Sequence, residues 1–195
     1  MPLVNLETIT PDPAALRALS HPVRLRILGL LRRDGASTAS ELATRLGLNS
    51  GATSYHLRQL AVHGFVVDDP SRGNGRDRWW RAAHQSTRTD PSAEETPEGR
   101  DATDAFSQAV AVVLTEQLQR AVEERPLLPP AWRRASSLSD WRIRLTPARA
   151  EQLVTAVETL VEEWQEDAED VGGVEDFYLV LQSYPMPGRV PQDPS

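Results

Sequence analysis

The sequence predicts a mainly α-helical protein with a small amount of β-structure (α+β), and two observations support this fold class. Apolar residues recur at spacings of three and four over much of residues 16–61, and again over about 103–124 and 147–164. Short runs rich in β-branched or aromatic residues at 65–67 and 78–81 interrupt the helical pattern. We therefore predict four helices, a β-hairpin and one long helix, followed by a small β-α-β module.

Local capping signals indicate where the early helices begin and end. Gly35 suits the left-handed backbone at the C-terminal cap of the second helix. Thr38 and Glu41 have the spacing of a capping box, in which each side chain accepts a hydrogen bond from the other residue's backbone N–H. After a tight turn, either Asn49 or Ser50 can cap the fourth helix. Two neighbouring helices separated by a short turn are therefore expected before the hairpin.

The composition shifts along the chain and suggests four segments. Residues 1–83 are predicted to form the first domain, and residues 84–101, which have almost no large apolar side chains, a mobile acidic linker. Residues 102–184 are expected to form a C-terminal helical and β-α-β module for dimerisation or sensing, with strands at 141–145 and 177–181. Residues 185–195 contain four prolines and are expected to be a loose tail.

The net charge of −7 is unevenly distributed. Residues 1–89 carry 12 Arg and 7 acidic residues, a balance of +5, whereas residues 90–195 carry 9 Arg and 21 acidic residues, a balance of −12. This asymmetry suggests that only the first half meets a polyanion. The chain has no Cys, which excludes disulfides, thiolate metal sites and thiol catalysis.

The order of helix, turn, helix and basic hairpin is that of a winged helix-turn-helix. In this arrangement the second helix lies in the DNA major groove and the hairpin, or wing, reaches adjacent phosphates or the minor groove. With Leu57 facing the core, the 100° step per residue directs Tyr55, Arg58 and Gln59 outward. The hairpin tip carries arginines that suit phosphates, and Arg45 in the preceding helix suits the same role.

Several linked motifs, at 18–28, 41–43, 54–60 and 64–66, resemble the winged helix-turn-helix domain of ArsR-type bacterial transcriptional regulators, over roughly residues 12–83. The resemblance implies a homodimer with the first and fifth helices at its interface, bound to a two-fold-symmetric operator. It also implies groove-facing side chains on the fourth helix and phosphate contacts from the wing. From the geometry and the resemblance together, the candidate DNA-binding residues are Arg45, Ser50, Ser54, Tyr55, His56, Arg58, Gln59, Arg72 and Arg76.

The chain departs from the metal sensors of that family. Those sensors carry a Cys pair in the helix that here spans 41–46, or an Asp/His set in the helix that here begins near Thr103, and neither pattern is present. We therefore expect no metal site and no cofactor. In the C-terminal module, Trp132, Trp141 and Trp164 either fill a small core or line a ligand cavity. Binding of an unknown small-molecule effector to this module is therefore an open alternative.

These observations predict a sequence-specific DNA-binding transcriptional regulator, expected to be a repressor, whose partners are double-stranded DNA and a second copy of itself. No targeting segment is evident and the longest apolar run, at 109–114, has six residues, so we expect a cytoplasmic protein without a membrane span. No phosphate loop, nucleophile elbow or paired-carboxylate motif indicates an enzyme. The alternative is a winged-helix protein-interaction adaptor without DNA binding, which would not require a basic outward face.

Overall fold

A computed structural model describes residues 7–72, 77–89, 96–168 and 170–190. Its contacts divide the chain into a larger unit, Leu6–Ser137, and a smaller unit that contains Leu138–Ser195. The long helix that the sequence analysis assigns to the C-terminal module lies in the larger unit. The elements of the larger unit are β1 (Thr8–Ile9), α1 (Pro13–Leu19), α2 (Pro22–Asp34), β2 (Ser37–Thr38), α3 (Ala39–Leu46), α4 (Ser50–Val62), β3 (Val66–Asp68), β4 (Trp79–Ala82), β5 (Ser86–Thr87), α5 (Pro97–Glu124) and α6 (Pro130–Ala135).

The predicted capping residues set the boundaries of α3 and α4. Both hydrogen bonds of the capping box form at the start of α3: Glu41 N–H donates to Thr38 Oγ1 at 3.2 Å, and Thr38 N–H donates to Glu41 Oε2 at 2.9 Å. The hydrogen bond from Thr38 N–H is the largest cause that lowers the pKa of the Glu41 carboxyl, and a hydrogen bond from the Ser37 hydroxyl adds to it. Gly47 ends α3 in the left-handed region, at φ 65°, and Asn49 then caps α4 by accepting a hydrogen bond from Ala52 N–H.

Three strands form a small antiparallel sheet in the order β2-β4-β3. Ser37 lies opposite Trp80 and Val66 lies opposite Ala82, which confirms the predicted hairpin. Trp79 and Trp80 point to opposite faces, as successive strand residues must. Trp80 is 4% exposed and joins the core, while Trp79 is only half-buried.

The core of the larger unit lies where the inner faces of α1, α2, α3 and α4 meet the sheet. This is the mainly helical fold with a small sheet that the sequence predicts. Because Leu57 and Leu60 of α4 are buried in this core, the opposite face of α4 points to solvent. The most deeply buried large residues are Leu19, Ile27, Leu28, Leu42, Leu57, Leu60, Phe65 and Val66.

The predicted linker over 84–101 is wrong in part. Ser86 and Thr87 form β5, which pairs in parallel with β1, and Arg32 donates hydrogen bonds to His84 O and Thr87 Oγ1. At the other end α5 starts at Pro97, six residues before the predicted start, because Thr96 accepts a hydrogen bond from Gly99 N–H and Pro97 suits the first turn. Residues 90–95 lie outside the described part of the chain.

Among the described residues of the smaller unit, 138–168 and 170–190, the predicted β-α-β arrangement is absent. Its helix is α7 (Pro147–Glu162), capped by Thr146 as expected, but residues 141–145 and 177–181 are assigned to no strand. A strand requires a hydrogen-bonding neighbour, and an alternating sequence does not supply one. Trp141 and Trp164 are mostly exposed, so neither fills a core or lines a closed cavity here.

No helix among the described residues is both long and apolar enough to cross a membrane.

Candidate nucleic-acid interface

Helix α4 presents to solvent a face that carries Tyr55 and Arg58. Thr53, Leu57 and Leu60 are fully buried, and the 100° step therefore turns Tyr55 and Arg58 outward, both exposed. This exposed face follows the periodicity that the sequence shows. The other predicted side chains of α4 differ in exposure: Ser50 is exposed, whereas Ser54, His56 and Gln59 are half-buried at its edges.

An open groove lies beside this face and joins parts of the chain that are distant in sequence. It has a volume of about 340 Å³ and is bounded by the N-terminal turns of α3 and α4 and by the base of the hairpin. Helix N-termini carry unsatisfied backbone N–H groups and a partial positive charge, which suit an anion. The polar residues that line the groove are Thr38, Ser40, Ser50, Ser54, Arg58, Asp77 and Arg78.

Arg78 is a groove residue that the candidate list does not contain. Its guanidinium carbon lies 4.1 Å from the centroid of the Trp80 ring, and its Nε donates to Asp68 Oδ2 at 2.9 Å. Both contacts hold the guanidinium at the groove. Arg78 directly precedes β4 and lies two residues before Trp80, which also lines the groove, so strand alternation extended back from Trp80 could have indicated this placement.

The wing positions one of the two predicted arginines. Arg72 ends a 3₁₀ turn, Pro70–Arg72, and its guanidinium carbon lies 5.9 Å from the centroid of the Trp79 ring. Asp69 shapes this turn by accepting hydrogen bonds from the backbone N–H and the hydroxyl of Ser71, which lower the pKa of the Asp69 carboxyl. Arg76 lies outside the described residues.

Arg45 does not line the groove. It stands in the last turn of α3 and forms an ion pair with Asp34, the last residue of α2. Arg33 also binds the Asp34 carboxylate, and the hydrogen bonds from Arg33 and Arg45 lower its pKa. The Arg45 side chain remains partly exposed, so it can meet a phosphate at the edge of the domain.

His56 packs against the body of the domain. Its ring centroid lies 4.7 Å from that of His21, the N-cap residue of α2, and its Nδ1 is buried with no hydrogen-bond partner among the described residues. Burial is the largest cause that lowers the pKa of His56, and the positive charges of His21 and Arg24 add to it. The neutral ring therefore acts as a packing surface between α4 and α2.

The two histidines do not form part of a metal site in the described part of the chain, where no group of three His, Cys, Asp or Glu side chains is close enough to hold an ion.

The fold and the groove define a winged helix-turn-helix domain: α3 and α4 are the two helices, and the β3–β4 hairpin is the wing. Residues 19–68 match a family model described as "Helix-turn-helix domain", a segment that spans α2 to β3. The chain is also 42% identical over 65 residues to the HTH-type transcriptional regulator YgaV of Escherichia coli K12. That alignment covers 33% of this chain and 66% of YgaV, slightly less than two thirds of its length.

Two solved structures resemble this chain with low sequence identity and low TM-scores. The apo form of a C30AH42A mutant of Lactococcus lactis ZitR has a TM-score of 0.33 and 16% identity, over 75% of this chain and 84% of ZitR. RV1404 from Mycobacterium tuberculosis has a TM-score of 0.30 and 20% identity, over 79% of this chain and 86% of the RV1404 chain.

Proposed function

We propose that this protein is a sequence-specific DNA-binding transcriptional regulator in which α4 enters the major groove. The observation that carries the proposal is the exposed face of α4 with Tyr55 and Arg58, beside a groove that Arg58 of α4 and Arg78 of the wing both line. Base edges in the major groove carry a distinct pattern of donors and acceptors, and arginine is the side chain that most often reads guanine there. The local excess of positive charge in residues 1–89 fits the same role.

The side chains divide into base-reading and phosphate-binding groups. Tyr55 and Arg58 are the long polar side chains of α4 that are exposed, and they are proposed to read bases, with Gln59 at the edge of the same face. Ser50 and Ser54 are short and lie near the N-terminus of α4, where they allow a close approach of the DNA backbone. Their hydroxyls are proposed to bind a DNA phosphate that enters the groove on the protein surface.

Arginines outside α4 are proposed to supply affinity that does not depend on sequence. Arg78 sits in the groove, while Arg72 and Arg76 belong to the wing and Arg45 to the outer edge of α3. Neutralising phosphates releases counterions, so each such contact adds to the salt dependence of binding. His56 is proposed to set the orientation of α4 through its contact with His21 more than to contact DNA itself.

The resemblance to ArsR-type regulators supports a finer proposal, a cytoplasmic repressor that binds a two-fold-symmetric operator as a homodimer. The first and fifth helices of that family form its dimer interface, and here α1 and α5 pack against each other. Helix α5 carries the exposed apolar residues Val112, Leu118 and Val122, which a second copy would cover. An effector pocket has no support from a described residue of the smaller unit, so the effector is not part of the proposal.

Binding to DNA as a function of salt tests the proposal. An operator selected from random DNA with the full chain should bind more tightly than a random duplex, and both affinities should fall steeply as salt rises. Arg72→Ala should weaken both duplexes by the same factor and reduce the slope of log affinity against log salt by about 1. Fluorescence anisotropy with labelled duplexes measures all of these quantities.

Arg134→Ala is the matched control, because Arg134 is exposed on α6 and does not line the groove. The proposal would be contradicted if the full chain selected no DNA sequence and was not retained on a heparin column. That result would favour the protein-interaction adaptor, which needs no basic face.

A further inference from the structure

Arg24, in the first turn of α2, is a cation that forms no ion pair with the described residues, whereas Arg26 on the same helix pairs with Glu116. The Nε atom of Arg24 is buried and has no hydrogen-bond partner in this part of the chain. A buried polar group without a partner is unfavourable, and oxyanions are the partners that a guanidinium binds most strongly. Because Arg24 as a whole is only half-buried, a ligand from outside can reach its side chain.

His21, the N-cap residue of α2, adds a hydrogen-bond donor beside Arg24. Its Nδ1 accepts a hydrogen bond from Val23 N–H at 3.2 Å, which leaves the proton of the neutral ring on Nε2. The His21 side chain is exposed, so Nε2–H can donate to a ligand. Burial is the largest cause that lowers the pKa of His21, and the positive charge of Arg24 adds to it. An anion bound beside these groups would offset the repulsion between their positive charges.

His56 places this pair of residues on a defined side of α4. The ring centroids of His56 and His21 are 4.7 Å apart, and the charge of Arg24 also lowers the pKa of His56. Ser54, Tyr55 and His56 are successive residues, so the 100° step places Ser54 and His56 on either side of the outward-facing Tyr55. Ser54 lines the groove. His21 and Arg24 therefore lie beside the flank of α4 that faces away from the groove.

A helix that lies in the major groove of DNA has a phosphate backbone on each side. The major groove is about 12 Å wide and a helix with its side chains is about 10–12 Å across, so the two flanks of the helix approach different strands. On one flank of α4, the groove with Arg78 is proposed above to bind phosphate. On the other flank, His21 and Arg24 supply positive charge and hydrogen-bond donors, which are the groups that bind DNA phosphates.

We propose that His21 and Arg24 form a second phosphate-binding site, which takes a backbone phosphate of the strand that lies across the major groove from the strand bound by Arg78. This inference rests on the proposed function, because it requires α4 to lie in the major groove. His56 keeps the role proposed for it and holds His21 beside α4. Contacts with both strands then fix the angle at which α4 enters the DNA.

Single methylphosphonate substitutions in the selected operator test the second site with the full chain. Each substitution replaces one charged phosphate by a neutral group, and its position is moved along both strands. Arg24→Gln should cause no further loss of affinity once its phosphate is neutral, so the two changes should be non-additive by at least about threefold. Arg78→Ala should be non-additive with a phosphate of the other strand in the same half-site.

His21→Asn is a second variant that separates a lost contact from a failure to fold. Asn is a favourable N-cap and can accept the hydrogen bond from Val23 N–H, but its shorter side chain cannot donate from the position of Nε2. It should be non-additive with the same phosphate as Arg24→Gln. Arg24→Gln should also reduce the slope of log affinity against log salt by about 1 for operator and random duplexes alike.

The results distinguish failure of the second site from failure of the proposed function. If the chain selects an operator but Arg24→Gln is additive with every phosphate, or shares a strand with Arg78→Ala, the second site is overturned and the proposed function stands. If no operator is selected, both fail. Arg134→Ala, at an exposed position of α6, is the control and should be additive with every phosphate to within about twofold.

Discussion

Replacement of Arg58 by alanine should reduce the discrimination between operator and random DNA while leaving the fold intact. The Arg58 side chain is exposed and forms no ion pair with the described residues, so its removal should change the free energy of unfolding by no more than about 0.5 kcal/mol. A good bidentate contact to a base is worth about 1–3 kcal/mol of discrimination. At about 1.4 kcal/mol for each factor of ten, the ratio of the two affinities should fall about 5- to 150-fold.

The assay is anisotropy titration of the selected operator and of a random duplex at one fixed salt concentration, with urea unfolding as the check on stability. Arg78→Ala is the informative comparison, since Arg78 lines the same groove but is held by Asp68 and Trp80 at the base of the wing. It should weaken both duplexes alike. If Arg58→Ala also lowers both affinities by one common factor, Arg58 binds phosphate and the assignment of α4 as the base-reading helix is refuted.

Two further predictions concern the packing behind α4. Leu57→Ala removes a fully buried side chain and should lower the free energy of unfolding by about 2–5 kcal/mol in urea titrations, whereas Val62→Ala, at an exposed position of the same helix, should change it by less than about 0.5 kcal/mol. Because the fold lowers the pKa of His56 below 6.5, the unfolded chain binds more protons near that pH. The stabilising contribution of neutral His56 is therefore complete above pH 6.5 and is lost as the pH falls. His56→Gln should reduce the loss of stability between pH 7.5 and 5.5, and parallel pH profiles for the two proteins would contradict this.

Much of the larger unit could be predicted because its signals are local. The capping box at Thr38 and Glu41, the turn at Gly47 and the periodicity around Leu57 each act within a few residues. The same periodicity also predicted the exposed face of α4. Its exposure is therefore evident from the sequence alone, whereas its contacts with DNA stay a prediction.

The features that could not be predicted depend on contacts between distant residues. The contact between the tilted rings of His21 and His56 joins residues that are 35 positions apart, and the position of Arg78 in the groove depends on the register of the hairpin. The start of α5 was missed because its first turn, capped by Thr96, contains no large apolar residue. The strand prediction for the smaller unit failed for a different reason, because the apolar patterns at 141–145 and 177–181 specify faces to be covered but supply no hydrogen-bonding neighbour.

Helix α2 connects the helix that faces the groove to the longest helix of the protein. It contacts α4 on one side and α5 on another, where Arg26 forms an ion pair with Glu116. Closely packed interiors move as rigid pieces and do not deform gradually. A shift of α5 must therefore either carry α2 and α4 with it or break the Arg26–Glu116 pair. Both side chains of that pair are partly exposed, so added salt weakens the ion pair and its contribution to the link between α2 and α5.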